Sequence, residues 1–281
     1  MAVAAALDDV ELISVDSMQV YRGMDVGTAK PTADEWAAVR HHCIDLVEPT
    51  ADFTVAEFQR AHAVALDDVA ARGRRALLVG GTGLYHRVVI DDFDLPGEWP
   101  EVRAGFDGDA THALYERIRA LDPVAAAKID PENRRRIVRA LEVTIGSGRP
   151  FSSFGPGVDH YPDGAVTQIG IRWPRDVLAA RIEERVHRMF ADGLVEEVRA
   201  LAERGLSRTA AQALGYKETL LHLDGRIDED ACVEMIVTRT RQFAVRQERW
   251  FRRDPRVRWV DVDDDPVALV APVVIEELQR T

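Results

Sequence analysis

Apolar and polar positions along the chain follow two rhythms. Val10-Glu11-Leu12-Ile13-Ser14-Val15 reads as a short buried strand ending at Asp16-Ser17. A polar, glycine-bearing stretch follows from Tyr21 to Pro31. Between Thr54 and Arg72 the period lengthens to that of a helix, with Val55, Phe58, Ala61, Val64 and Ala65 sharing a side. Thr54 and Glu57 have the spacing of a capping box at its start. Arg75 to Val79 reads as a second strand, running into Gly80-Gly81-Thr82-Gly83 and a helix from Leu84. Strand, helix, strand, helix predicts an α/β core with a parallel sheet.

The rhythm changes near Asp94. Pro96, Gly97 and Pro100 interrupt the chain, helices are predicted over Ala110–Leu121 and Asn133–Ile145, and Gly146 to Pro162 is rich in turn formers. Residues 96–164 are therefore expected to form a mainly helical insertion domain, with 1–95 and 165–281 making up the core. Val166 to Ile171 is predicted as a strand that returns to the sheet. An amphipathic helix over Asp176–Gly193 follows, with Leu178, Ile182, Val186 and Met189 on its apolar side. The last third is predicted helical, apart from a final strand at Val257–Val260.

Composition narrows the class. The 281 residues are 46% hydrophobic and 30% charged, ordinary values for a globular chain. No apolar run approaches the roughly 18 residues of a membrane span, and the acidic start lacks a secretory signal's basic region. The expected compartment is the cytoplasm. Cys43 and Cys232 are far apart and without metal-ligand spacing. The net charge of −12 argues against a non-specific nucleic-acid coat. Charge is uneven, however: eight arginines fall between Arg239 and Arg258, and Arg134-Arg135-Arg136 is followed by Arg139. Either cluster can track a phosphate backbone or form a solvated helix face.

Several constellations can carry chemistry. Asp16 falls at the carboxyl end of a strand, the rim where parallel sheets bind ligands, and can act as a general base or cap the next turn. The glycines around Thr82 allow close backbone approach to an anion at the following helix, or form an ordinary strand-to-helix turn. Arg181 and Arg185 share a helix face suited to a diphosphate, with Glu183 and Glu184 as competing ion-pair partners. Gln212-Ala213-Leu214-Gly215-Tyr216-Lys217 combines a turn, an aromatic ring and a cation, which can receive an unpaired base or end a helix.

Taken together these residues resemble the tRNA dimethylallyltransferase (isopentenyl-tRNA transferase) family. The resemblance is carried by Asp16-Ser17-Met18-Gln19-Val20-Tyr21-Arg22-Gly23-Met24-Asp25-Val26-Gly27-Thr28-Ala29-Lys30-Pro31, which follows the family's long motif almost residue for residue. Leu78 to Tyr85, Arg136 to Val143, Arg181 to Met189, Ala213 to Glu218 and Thr240 to Gln247 continue it in order. It implies a P-loop NTPase-like parallel sheet with a helical insertion. It also implies transfer of a dimethylallyl group from dimethylallyl diphosphate to the N6 amine of the adenosine 3′ of the anticodon. Asp16 matches the general base, Thr82 a residue near the bridging oxygen, and Arg185, with Arg181, a diphosphate site. Asp16, Ser17, Met18, Gln19, Thr82, Arg103, Arg135, Arg136, Arg139, Gln212, Gly215, Tyr216, Lys217, Arg246, Gln247 and Arg252 match positions that contact the tRNA anticodon stem-loop. Mg²⁺ is the implied cofactor, no membrane is involved, and the expected state is a monomer. Val245 stands where the family usually has a basic residue.

One element of the family pattern does not occur. The family's first strand leads into a loop of the form G-x-x-x-x-G-K-[ST], whose amides cradle the diphosphate, and this sequence contains no such segment. The expectation is a start placed too far downstream, with a natural protein longer by about thirty residues. Without that strand, neighbouring strands are expected to keep unpaired backbone groups, each costing about 1–3 kcal/mol if buried. Two other readings stay open, a non-catalytic tRNA-binding remnant and a nucleotide kinase of related fold.

Overall fold

The computed structural model describes residues 1–164 and 166–280. Contacts divide it into two compact units, Met1–Asp91 with Asp163–Thr281, and Asp92–Pro162.

The first unit opens with α1 (Ala2–Ala6), β1 (Val10–Ser14), α2 (Ala33–Ala38), β2 (His41–His42), α3 (Val55–Ala71), β3 (Arg75–Val79) and α4 (Gly83–Ile90). All five β1 residues are buried, and β1 pairs in parallel with both neighbours, Ile13 opposite His42 and Leu78. The α3 capping box forms as predicted: Thr54 Oγ1 accepts from Glu57 N at 3.2 Å, and Glu57 returns a carboxylate to Thr54 N at 2.7 Å. The buried stripe of α3 is Phe58, His62, Ala65 and Val69. Val64, expected on that side, is exposed, because steps of four, three and four follow the helical period and it falls one residue outside.

The second unit carries α5 (Pro100–Ala104), α6 (Thr111–Leu121), α7 (Pro123–Ala126) and α8 (Arg134–Ser147). Its own core is built from Phe106, Leu114, Ile118, Ile137 and Leu141, among others. Glu142 is fully buried there, accepting from Trp99 N at 2.8 Å and from Arg103 at 2.9 and 2.7 Å, with Arg139 at 3.1 Å.

The chain then returns to the first unit with β4 (Gln168–Arg172), α9 (Arg175–Ala191), α10 (Leu194–Arg204), α11 (Tyr216–Leu223), α12 (Glu229–Phe251), β5 (Val257–Asp261) and α13 (Pro266–Arg280). Here one expectation is corrected. β4 does not join the first sheet; it pairs in parallel with β5 as a separate two-stranded sheet, while the first sheet has the order β2-β1-β3. The far edges of β3 and β4 line one cavity of about 900 Å³, with Leu77, Val79, Ile169, Ile171 and Trp259 in its wall. Among the described residues no strand pairs between them, so the two sheets remain separate. Side-chain hydrogen bonds and ion pairs, rather than a shared ladder, join the two parts. Arg256 reaches Asp91 at 2.6 Å and Asp254 at 2.7 Å, joining the end of α4 to the turn before β5. Among the described residues no helix is long and apolar enough to cross a membrane.

Candidate active site

The site forms where β1 and β3 end side by side. Val15 N donates to Val79 O at 2.8 Å, extending the ladder one residue past β1. Asp16 then turns the chain: its Oδ1 accepts from Met18 N at 2.8 Å and Gln19 N at 3.2 Å. From the neighbouring tip, Thr82 Oγ1 accepts from Ser17 N at 3.1 Å and lies 3.3 Å from Ser17 Oγ. The two residues that the sequence singled out, 66 positions apart, thus sit on one rim.

The glycines beside Thr82 are explained by the protein itself. A Cβ on Gly80 would stand 2.2 Å from Val15 O, and one on Gly83 2.3 Å from the Trp250 ring. On Gly81 it would meet Gln247 Nε2 at 1.8 Å, and that amide donates to Gly81 O at 2.8 Å. Close approach is required at this turn, and the approaching atoms belong to Val15 and α12. Gln247, expected at the tRNA, is committed through its amide nitrogen to this turn.

Arg185 projects from α9 into a second cavity of about 620 Å³, walled also by Asp25, Lys30, Trp36, Asp45 and Arg188. Desolvation lowers its pKa, and the charge of Asp16 works against that shift. Arg185 makes no ion pair among the described residues, so its guanidinium is available to an anion near Asp16. Arg181, one turn earlier, instead stacks on Trp173 with Cζ 4.3 Å from the ring centroid.

The expected tRNA contacts separate into free and engaged groups. Arg135, Arg136 and Arg246 are exposed, as is Arg252, which among the described residues has a long 3.5 Å pairing with Glu248. Arg103 and Arg139 both neutralise Glu142. Lys217 donates to Gln212 Oε1 at 2.9 Å, while Gly215, with φ of 90°, starts α11. Tyr216 is a correction: it is completely buried, so neither ring face is open to a base. Its hydroxyl donates to Glu197 Oε1 at 2.5 Å. Glu197, which sequence reasoning missed, also accepts from the backbone of residues 25–27. One signal existed: it falls on the apolar face of α10, between Leu194 and Leu201. Both cysteines are buried, and burial pushes the Cys43 thiol up to about 12, which leaves it unreactive near neutrality.

A parallel-sheet core with a carboxylate and a threonine at adjacent strand tips, covered by helices of which α9 carries Arg185, is an α/β fold of the P-loop NTPase-like class. The profile of the IPP transferase family matches residues 19–254. A tRNA dimethylallyltransferase of Kineococcus radiotolerans is 48% identical over 272 residues, covering 94% of this chain and 85% of that protein. The tRNA dimethylallyltransferase of Salinispora tropica is likewise 48% identical, covering 93% and 83%. The full-length tRNA isopentenylpyrophosphate transferase from Bacillus halodurans superposes with a TM-score of 0.71 at 37% identity, over 99% of this chain and 91% of that one. The chain belongs to the IPP transferase family, and its activity is that of a prenyltransferase acting on tRNA.

Proposed function

We propose that the allyl donor is dimethylallyl diphosphate and the acceptor the N6 amine of the adenosine 3′ of the anticodon. The amine nitrogen attacks the first allyl carbon, the carbon–oxygen bond to diphosphate breaks, and the nitrogen passes one proton to Asp16. The supporting observation is the 3.1 Å bond from Ser17 N to Thr82 Oγ1, which keeps both residues on one rim. Oδ1 of Asp16 already holds two backbone N–H groups, so Oδ2 is the oxygen left to take the proton. Arg185 balances charge on the departing diphosphate, and the Thr82 hydroxyl can turn from Ser17 towards the breaking bond. The exposed Arg135, Arg136, Arg246 and Arg252 supply phosphate contacts for the stem-loop.

Magnesium fits this set of residues only as a companion of the diphosphate. Mg²⁺ is usually held by one or two carboxylates plus substrate phosphates, and among the described residues no group of three or more His, Cys, Asp or Glu can hold a metal. Both Asp16 oxygens are already assigned, so the ion would be held through the diphosphate and would add electrostatic relief of leaving-group charge.

The test is incubation with dimethylallyl diphosphate and an anticodon stem-loop, read by mass spectrometry. One dimethylallyl group is expected on the adenosine-bearing stem-loop and none when inosine replaces that adenosine. Binding of the stem-loop without any mass gain would instead favour a tRNA-binding protein without turnover.

A further inference from the structure

The stretch from Met24 to Lys30 is held from two sides. Lys30, with a side chain only 4% exposed, donates to Tyr21 O at 2.6 Å and pairs with Asp25 at 2.7 Å and Asp45 at 2.5 Å. Opposite, Glu197 of α10 accepts from three consecutive backbone N–H groups. Asp25 N and Val26 N lie 2.9 and 2.8 Å from Oε2, and Gly27 N lies 3.3 Å from Oε1. The Tyr216 hydroxyl completes the set at 2.5 Å. Successive N–H groups make an anion-binding concavity, and the protein's own carboxylate fills this one. Gly27 lies against the phenol ring, where a Cβ would come within 2.5 Å of Cε2. Burial, aided by the adjacent Glu197 charge, pushes the Tyr216 pKa up, so the hydroxyl remains a donor.

The held stretch delivers two carbonyls to the site. Thr28 O and Ala29 O accept from Gln19 Nε2 at 3.1 and 3.3 Å, with Ala29 at a φ of 48°. Gln19 Oε1 accepts from Ser14 Oγ at 2.8 Å, so the amide is fixed at both ends. The backbone N of Gln19 then donates to Asp16 Oδ1 at 3.2 Å. We infer that Glu197, backed by Tyr216, is a positioning residue: its grip on residues 25–27 fixes Gln19, and through Gln19 the turn that presents the Asp16 carboxylate. The inference rests on Asp16 being the base, as proposed above.

A double-mutant cycle tests it, with stem-loop turnover measured for wild type, Glu197→Gln, Gln19→Ala and the double variant. Glu197→Gln keeps the size but turns an NH₂ towards backbone donors. Each single variant is expected to lose about 10–100-fold in kcat with stem-loop KM within about threefold. The double variant should fall no more than about threefold below the worse single one, since both act along one path. Tyr216→Phe, which leaves the three backbone donors in place, should lose only about 3–10-fold. Losses that multiply in the double variant, or that appear in KM alone, overturn the inference. Should Glu197→Gln not fold, Tyr216→Phe crossed with Gln19→Ala decides instead: a double variant equal to Gln19→Ala alone supports the inference, and one lower by the full Tyr216→Phe factor overturns it. A wild-type chain that binds stem-loop without transfer removes the Asp16 reading and this inference together; turnover with multiplying losses removes the inference alone.

Discussion

Two edges of the same β3 strand meet different fates. Towards β1, the ladder is complete and continues into the site, where Val15, Ser17, Thr82 and Gln19 each find a partner within 3.3 Å. Towards β4, the edge is open: Val79 and Ile171 are about half exposed, and Gln168 is buried with neither amide atom bonded among the described residues. The candidate rim therefore rests on β1 and β3 together with contacts from residues 28 and 29 and from α12, and no ladder bond to β4 contributes to it. Local saturation of hydrogen bonds, rather than completeness of the sheet, sets the geometry of the rim.

The contrast can be broken first at the rim's chemistry. Asp16→Asn removes the proton acceptor and should lower kcat about 10³-fold with the thermal midpoint little changed; single-turnover kinetics checks this, and a loss below tenfold would remove Asp16 from the base role. Gly80→Ala forces a methyl onto Val15 O, with a predicted loss of about 3 kcal/mol in urea unfolding and a disordered rim. Next comes the support of β1 by Glu11. Its carboxylate accepts from Arg72 at 2.9 and 2.7 Å and faces His42 at 2.7 Å. The Arg72 bonds lead in holding its pKa down at about 2, against an ordinary 4.5. A depressed folded pKa gives stability that is complete above pH 4.5 and lost as pH falls towards 2. Glu11→Gln should remove on the order of 2 kcal/mol at pH 7 and flatten the stability profile across that window; a parallel profile in the variant would contradict it. The smallest effect has the opposite sign. Gln168→Leu relieves a buried unpaired amide and should stabilise by about 1 kcal/mol without changing kcat; destabilisation would mean the open edge is better satisfied than it looks.

Sequence legibility followed the range of the forces involved. β1, the α3 capping box, and the Asp16 and Thr82 strand tips were readable because each is set by neighbours within a few residues or by a long motif. The return of β4 to the sheet was misread, since a short segment such as Val166–Ile171 specifies a strand but not its ladder partner. Tyr216 was misread because an aromatic ring beside a turn and a cation looks the same whether it faces solvent or packs into the core. The glycines around Thr82 were open to a ligand's approach or to an ordinary turn, and only the three-dimensional structure reveals that Gln247 and Trp250 pack against them.

That last pairing has a consequence for sequence change. The side chain at 247 occupies the volume that a methyl at 81 would claim, so the two positions form one genetic unit: bulk gained at one must be surrendered at the other. Selecting active clones from a library randomised at both should return correlated pairs, with alanine at 81 accompanied by a truncated neighbour at 247. Since α12 also displays exposed arginines, drift at its surface is constrained from behind by the Gly80–Gly83 turn.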